Sequence, residues 1–402
     1  MPRVLLLLPT STYRARDFVA AARRLGLDVV IGSEEPQVLD VADRAVLVPL
    51  DDVDTAAAAV GALDRRSPLD AVVAVDDQGV VVASEVAARL GLPHNPTDAV
   101  AATRDKTRLR ALLARAEVAQ PDFRVVADAD GARGAAEELG APVVVKPVSL
   151  SASRGVIRVD DVGDVPAVAA RVLGIQRGGP LLVERYVPGA EVALEGLLHD
   201  GALEVLAIFD KPDPMEGPYF EETIFVTPSR LDRVTQDEIV RVTAAATDAL
   251  GLATGPVHAE LRVPGDGRAV LLEVAARSIG GLCARSLVFG LGVSLEELIL
   301  RQATGRALGS LQRAHAASGV MMLPIPRAGT LRAVHGRDAA LAIEGIDGLE
   351  ITIPVGHDVV PLPDGDRYLG FVFAHGETPG GVERTLRRAF AALDVVIEPH
   401  PS

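Results

Sequence analysis

Glu260 and Glu273 lie in a stretch that reads as strand, turn and returning strand: Ala259-Glu260-Leu261-Arg262-Val263, then Pro264-Gly265-Asp266-Gly267-Arg268, then Val270 to Ala275. A hairpin of that form sets the two glutamates opposite each other on one face. Two ionised carboxylates about 4 Å apart repel by roughly 4 kcal/mol at an effective dielectric near 20, so the pair demands Mg2+ or another positive group, or else a raised pKa. Arg277 brings a fixed positive charge to the end of the returning strand, and Gly280-Gly281 follows with open backbone amides. Such a corner suits phosphate. The plainer alternative is a hairpin whose two acids face solvent.

Lys146 ends an apolar strand beginning at Pro142 and enters a loop that runs from Pro147 to Gly155 and holds Ser149, Ser151 and Ser153. A small-residue loop of this kind can fold over phosphates, offering amides and hydroxyls, or serve as a flexible connection. A lysine on an apolar strand needs an anionic partner, because an isolated buried charge is strongly unfavourable. Further on, Glu184-Arg185-Tyr186-Val187 reads as an extended hinge, Pro188-Gly189 as a turn, and Glu191 as the start of a new strand. The hinge can present a backbone donor and acceptor to a base edge with Glu191 near ribose hydroxyls, or be an ordinary strand connection. Residues 210–229 read as a long irregular segment carrying Glu216, Glu221 and Glu222, the profile of a lid or substrate loop. His258 shares a strand face with Glu260 and reads equally as a ligand-orienting group or a core histidine. Cys283, beside the glycine turn, is either a reactive thiol or a buried inert one.

The elements that must position these groups come in a regular order. Strands at Val4–Leu8, Asp28–Ile31, Ala45–Val48 and Ala71–Val75 alternate with helices at Arg14–Leu25, Val53–Leu63 and Gln78–Leu90, which implies a doubly wound parallel α/β sheet over residues 1–96. Ligands of such sheets lie at the strands' carboxyl ends, so Pro9-Thr10-Ser11-Thr12 and Asp76-Asp77 face any site there. The remainder reads as α+β, with boundaries placing one lobe and its linker helices at 97–187, a second lobe at 188–310 and a small cap at 311–402. Leu282–Leu291 and Ser294–Gln302 are predicted helices in the second lobe.

With 402 residues, 49% of them hydrophobic and 24% charged, the chain has ample core for several domains. No apolar run approaches the roughly 20 residues of a membrane span, and Val4–Leu8 is too short for a signal peptide. A net charge of −15, no Trp and 3% aromatics weigh against a nucleic-acid surface. The single cysteine excludes an internal disulfide and fits a reducing, cytoplasmic setting.

Taken in order and spacing, Lys106, Lys146 with its loop, the Glu184–Val187 hinge, Glu191 and the Glu260, Glu273, Arg277 hairpin resemble the ATP-grasp superfamily over essentially the whole chain. The run Arg367 to Ala374 is similar to the C-terminal domain of bacterial L-amino acid ligases, which form dipeptides. The resemblance implies a preceding α/β domain, two lobes clamping ATP and a C-terminal α+β domain. It implies an ATP-dependent carboxylate–amine ligase that works through an acyl phosphate on small-molecule substrates, as a homodimer.

By the same resemblance Lys106, Lys146, Ser149, Ser151, Ser153 and Gly155 hold the phosphates, Glu184, Tyr186 and Val187 receive adenine, and Glu191 takes the ribose. Glu260 and Glu273 bind Mg2+, with Mn2+ as its substitute, and Arg277 stabilises the transferring group. Glu222, Ser278, Gly280 and Gly281 contact substrate. Two positions depart from the pattern: Ala275 stands where many relatives have a metal-ligating Asn, and Phe225 where the dipeptide ligases have a His. Two other readings accompany this one, a ligase or carboxylase using bicarbonate or another acid, and a nucleotide-binding regulator without turnover, which Ala275 permits.

Overall fold

The computed structural model describes residues 1–10, 12–35 and 44–400; Ser11 of the first loop lies outside them. Strands Ala45–Leu47, Asp28–Ser33, Arg3–Leu7 and Ala71–Ala74 lie side by side in that order, all parallel. Successive side chains of a strand point to opposite faces. Leu5 and Leu7 accordingly pack with Val60, Val82 and Val86 on one face, and Val4 and Leu6 with Phe18 and Ala21 on the other. Helices cover both faces, as a parallel sheet requires. The helix expected from Gln78 begins as a short 3-10 turn, Asp77–Gly79, and continues as Val80–Leu90.

Two linker helices, Thr97–Arg104 and Lys106–Arg115, meet at Asp105. Asp105 is extended and caps the second helix by accepting from the amides of Thr107 and Arg108 at 2.8 and 3.1 Å. The break leaves Arg104 in the last turn of one helix and Lys106 in the first turn of the next, both at the central cleft. A four-stranded antiparallel sheet follows, in the order Phe123–Val126, Leu181–Arg185, Val143–Pro147, Ile157–Val159. Helices Ala129–Leu139 and Val165–Gln176 supply the apolar side chains that pack against it.

The largest sheet has eight strands. Val270–Ala275, Gly255–Val263, Ala190–His199, Ala202–Lys211 and Ile224–Thr227 are followed in space by Ala317–Leu323, Gly370–Gly376 and Ile346–Ile351. It crosses residue 310 without a break, because Ile224–Thr227 pairs antiparallel with Ala317–Leu323. That strand corrects the reading of 210–229 as irregular throughout: its four residues are buried between Ala202–Lys211 and Ala317–Leu323, the second of which lies far off in sequence, where a local pattern carries no signal.

The predicted helix Leu282–Leu291 is also absent. Cys283–Ser286 is a 3-10 turn, and Val288–Phe289 pairs with Val293–Ser294 around Gly290 and Gly292, both at positive φ. The apolar run that suggested a helix, Leu282 to Phe289, instead enters a core shared by the first sheet, the large sheet and helix Leu295–Ala303. This common core joins the N-terminal unit to the large lobe. Ser294 and Glu297 form a capping box that starts the helix one residue later than expected.

Gly189, between the hinge and the strand that begins at Ala190, sits at φ 107° with space for a β-carbon only 2.1 Å from the Val263 carbonyl oxygen. Gly189→Ala should therefore lower the unfolding free energy by roughly 2–4 kcal/mol in urea denaturation. An unchanged midpoint would contradict this close backbone approach.

Candidate active site

The two lobes, the linker helices and the carboxyl end of the parallel sheet converge on a cavity of about 560 Å3. Glu260 and Glu273 are direct partners across the hairpin, followed at once by a bulge between Glu260 and Leu261. Both carboxylates reach the cavity with about a quarter of their side-chain surface exposed. Each has a lysine: Lys106 Nζ lies 3.4 Å from Glu273, and Lys211 Nζ 3.3 Å from Glu260. Two partly exposed carboxylates facing each other over an open cavity are a hard-oxygen donor set that fits a divalent cation. Ala275, opposite His258 in the register, adds no further ligand.

Lys146 stands on the small lobe, and its partner is Glu184 on the adjacent strand, Nζ to Oε2 at 2.7 Å. The other carboxylate oxygen accepts from Arg110 Nε at 2.6 Å. All three side chains are nearly inaccessible. Burial pushes Glu184 up, but Arg110 and Lys146 outweigh it and hold the carboxyl at about 2. Burial, resisted by Glu184, draws Lys146 down to about 8. Arg110 also donates to the Leu272 carbonyl at 2.7 Å, tying this triad to the strand that carries Glu273.

The first part of the loop after Lys146 is fastened to the linker helices. The Lys106 amide donates to Val148 and its ammonium to the Leu150 carbonyl at 2.8 Å, while Arg104 donates to Ser151 at 3.2 Å. Ala152 and Ser153 turn its tip at φ 57° and 54°, a left-handed conformation that residues with a β-carbon seldom adopt.

Lys211, at the end of Ala202–Lys211, lies among three carboxylates. It bonds to Glu191 Oε1 at 2.8 Å, contacts Glu222 closely and approaches Glu260. Glu191, Glu222 and Glu260 can bring oxygens within 4.8 Å of one another, and Lys211 supplies the charge that permits it. Glu222, expected to contact substrate, faces this internal ammonium; burial raises it to about 7 against the pull of Lys211.

Glu191 gives its second oxygen to Arg262, whose Nη1 also donates to the Tyr186 hydroxyl at 2.8 Å and the Val187 carbonyl at 3.1 Å. The Tyr186 amide donates to Pro142 at 3.0 Å, so of the two hinge amides that of Val187 remains for a ligand among the described residues.

Arg277 reaches the cavity from a clamp. Its Nε and Nη2 donate to the two oxygens of Asp77 at 3.0 and 2.9 Å, and Nη1 to the Ser278 carbonyl at 3.0 Å. Arg277, Gly280 and Gly281 line the cavity, and Ser278 does not. Ser278 is 1% exposed and accepts from buried Arg14 at 2.6 Å, which corrects its assignment to substrate. Gly155 is displaced likewise, since its amide donates to Pro363 at 3.1 Å and it lies behind the wall formed by its neighbours.

The other site residues expected from sequence all border the one cavity. His258 is buried between Glu195 and Glu260 at 3.2 and 3.4 Å; burial lowers its basicity, but the two carboxylates prevail and lift it to about 9. Cys283 is buried, and desolvation drives its thiol well upward, the inert alternative. Sequence reasoning passed over Arg110, Lys211, Arg262 and Glu195. Lys211, Arg262 and Glu195 are charges in largely apolar strands, and the same demand for a partner that marked Lys146 would have marked them, whereas Arg110 sits among other cations in Lys106–Arg115 and carries no such signal.

Family models match three consecutive parts of the chain: the ATP-grasp N-terminal domain over residues 19–94, the ATP-grasp domain over 139–286 and the L-amino acid ligase C-terminal domain 2 over 321–398. Among curated proteins, the uncharacterized protein y4rH of Sinorhizobium fredii is 25% identical over 99% of this chain and 84% of its own length. The alanine–anticapsin ligase of Bacillus subtilis is 28% identical over 58% of this chain and 53% of its own, so the match spans about half of that relative. A D-alanine–D-alanine ligase of Gloeobacter violaceus is 28% identical over 53% of this chain and 72% of its own. The crystal structure of the L-amino acid ligase from Bacillus licheniformis superposes with a TM-score of 0.86 at 24% identity, covering 99% of both chains.

Glu184→Gln removes the charge shared by Arg110 and Lys146 and should lower stability at pH 7 by about 3 kcal/mol. The folded pKa of Glu184 is depressed from 4.5 to about 2, so its contribution is complete above 4.5 and disappears as pH falls through about 2. The gap between parent and variant in urea titrations should narrow over that window; equal stability at pH 7 would refute the triad.

Proposed function

This chain is an ATP-grasp protein, and on that premise we propose that it joins a small carboxylate to an amine, with ATP converted to ADP and phosphate. The observation that carries the reading is convergence: Lys106, Lys146, Glu260 and Glu273, drawn from four separate elements, and Arg277, just beyond the last of them, border one cavity. The names of its relatives, alanine–anticapsin ligase and D-alanine–D-alanine ligase, support amino acids as the substrates.

In this reading the loop from Ser149 to Ser153, with Lys106 and Lys146, receives the phosphate chain. The adenine lies at the hinge, where the Val187 amide is a donor, and the ribose hydroxyls lie toward Glu191. Glu260 and Glu273 would hold Mg2+, which when bound would supply positive charge toward the phosphates. The substrate carboxylate attacks the γ-phosphorus and ADP departs. The amine then attacks the acyl carbon, the phosphate leaves as inorganic phosphate, and an amide bond remains. Arg277 carries its charge at any working pH and meets the negative oxygens that develop in both steps. Tyr13, Phe225, Met322 and Tyr368 also line the cavity and suit an uncharged side chain.

Purified protein mixed with ATP, Mg2+ and pairs of amino acids should release ADP only when acid and amine are both present, with a condensation product visible by mass spectrometry. ADP formed with bicarbonate alone would replace the amide ligase by a carboxylating enzyme. An absence of ADP across a broad panel would leave a nucleotide-binding protein without turnover. Glu273→Gln should lower turnover by at least about 100-fold while ATP affinity changes by less than about tenfold; parental turnover would remove Glu273 from the metal site.

A further inference from the structure

The N-terminal unit contributes a clamp that the proposed reaction does not use directly. Its last strand, Ala71–Ala74, is followed by Val75, Asp76 and Asp77, and Asp77 lies 200 residues from Arg277 in sequence. Both side chains are 12% exposed, and the carboxylate meets Nε and Nη2 in parallel. Together with the bond from Nη1 to Ser278, three of the five N–H groups of the guanidinium have protein acceptors. Three acceptors in one plane allow the group a single orientation. Among the described residues the other two N–H groups have no protein acceptor and remain for a ligand.

Asp77 is itself fixed. Its Oδ1 is 3.3 Å from Arg104, which donates onward to Ser151 in the loop after Lys146. Its amide donates to Asp76, which accepts from Thr12 at 3.1 Å. Arg14 makes the reciprocal bond across the same junction: from the N-terminal unit it donates to the Val75 carbonyl at 2.9 Å and to Ser278 Oγ at 2.6 Å. One arginine therefore crosses the junction in each direction, and the pair holds Val75, just past the strand, against the turn at Ser278. Arg277 is the member that lines the cavity, and Arg14 is buried. A junction that served only cohesion would not need its outer arginine to keep two donors toward the cavity.

We propose that Asp77 is a positioning residue, through which the N-terminal α/β unit aims Arg277 at the transferring phosphoryl group and links that aim to the phosphate loop through Arg104. The proposal rests on the reading of Arg277 given above. It makes the N-terminal unit part of the transfer apparatus, although it holds neither the phosphate loop nor the metal hairpin.

The test compares the parent with Asp77→Asn, Asp77→Glu, Arg277→Met and the double variant Asp77→Asn/Arg277→Met, all as the full chain. One readout, independent of turnover, is the ratio of affinities for ADP–aluminium fluoride, which mimics the transferring group, and for ADP alone, with Mg2+ present. The second is ADP release from ATP with an equimolar mixture of the twenty L-amino acids, resolved into kcat and KM for ATP. Asp77→Asn should lose about 100-fold in kcat and a similar factor in the affinity ratio, the scale of a misplaced catalytic group, with KM for ATP within about threefold. Asp77→Glu should fall between, and the double variant should be no worse than Arg277→Met.

Should Asp77→Asn fail to melt cooperatively, Asp77→Glu decides by the same two readouts. Parental values in the Asp77 variants beside a defective Arg277→Met would overturn the positioning role and leave that of Arg277 standing. Independent, multiplying losses in the double variant would also overturn it. Parental behaviour of Arg277→Met, or a parent that binds ADP–aluminium fluoride no better than ADP, would overturn the role of Arg277 itself and this proposal with it.

Discussion

Two carboxylates opposed across one antiparallel hairpin create a charge that the surrounding structure must balance. Glu260 and Glu273 are partners in register, and each faces a lysine from a different element, Lys211 from the large sheet and Lys106 from a linker helix. An uncompensated charge inside a protein is strongly unfavourable, so cations and anions are recruited in alternation around the cavity. Lys211 serves Glu191, Glu222 and Glu260 together; Glu184 serves Lys146 and Arg110. Removing Lys211 would take from three carboxylates the cation they share, and removing Glu184 would take from Lys146 and Arg110 the carboxylate they share, so these positions are mutually determined.

That demand also explains how the lobes are joined. Arg110, from a linker helix, bonds to Glu184 of the small lobe and to the backbone of the strand carrying Glu273. Arg104 connects Asp77 to Ser151, and Arg277 connects the large lobe to Asp77. Apolar packing supports the junction of the N-terminal unit with the large sheet, since one core holds Leu6 and Phe18 with Phe209, Leu282 and Phe371. Burial draws the units together without preferred direction, and the arginines, with planar and directional donors, define the angle at which they meet.

Much of the site was legible because its chemistry is local. The Gly/Asp turn and the period-two alternation of 259–275 placed both glutamates on one face, and the hairpin has that register. Lys146 stood out as a charge at the end of an apolar run, and its counter-ion lies on the neighbouring strand. The failures are equally specific. Leu282–Leu291 carries a helical density of apolar residues, but Gly290 and Gly292 and the shared core hold it as a turn and a short hairpin. Ser278 and Gly155 belong to promising segments, yet neighbouring residues face the cavity in their place.

The amino-acid sequence alone determined the alternation of elements and the parallel character of the first sheet, the facing pair of glutamates, and two of the cations around them, Lys146 and Arg277. These follow from side-chain periodicity and turn chemistry within a dozen or so residues. Only the tertiary structure decided which charge neutralises which, that residues 317–323 extend the large sheet, and that Asp77 meets Arg277 across 200 residues. Such pairings depend on how whole units pack, and each side chain's own neighbourhood in the chain reads the same whichever distant partner it finds.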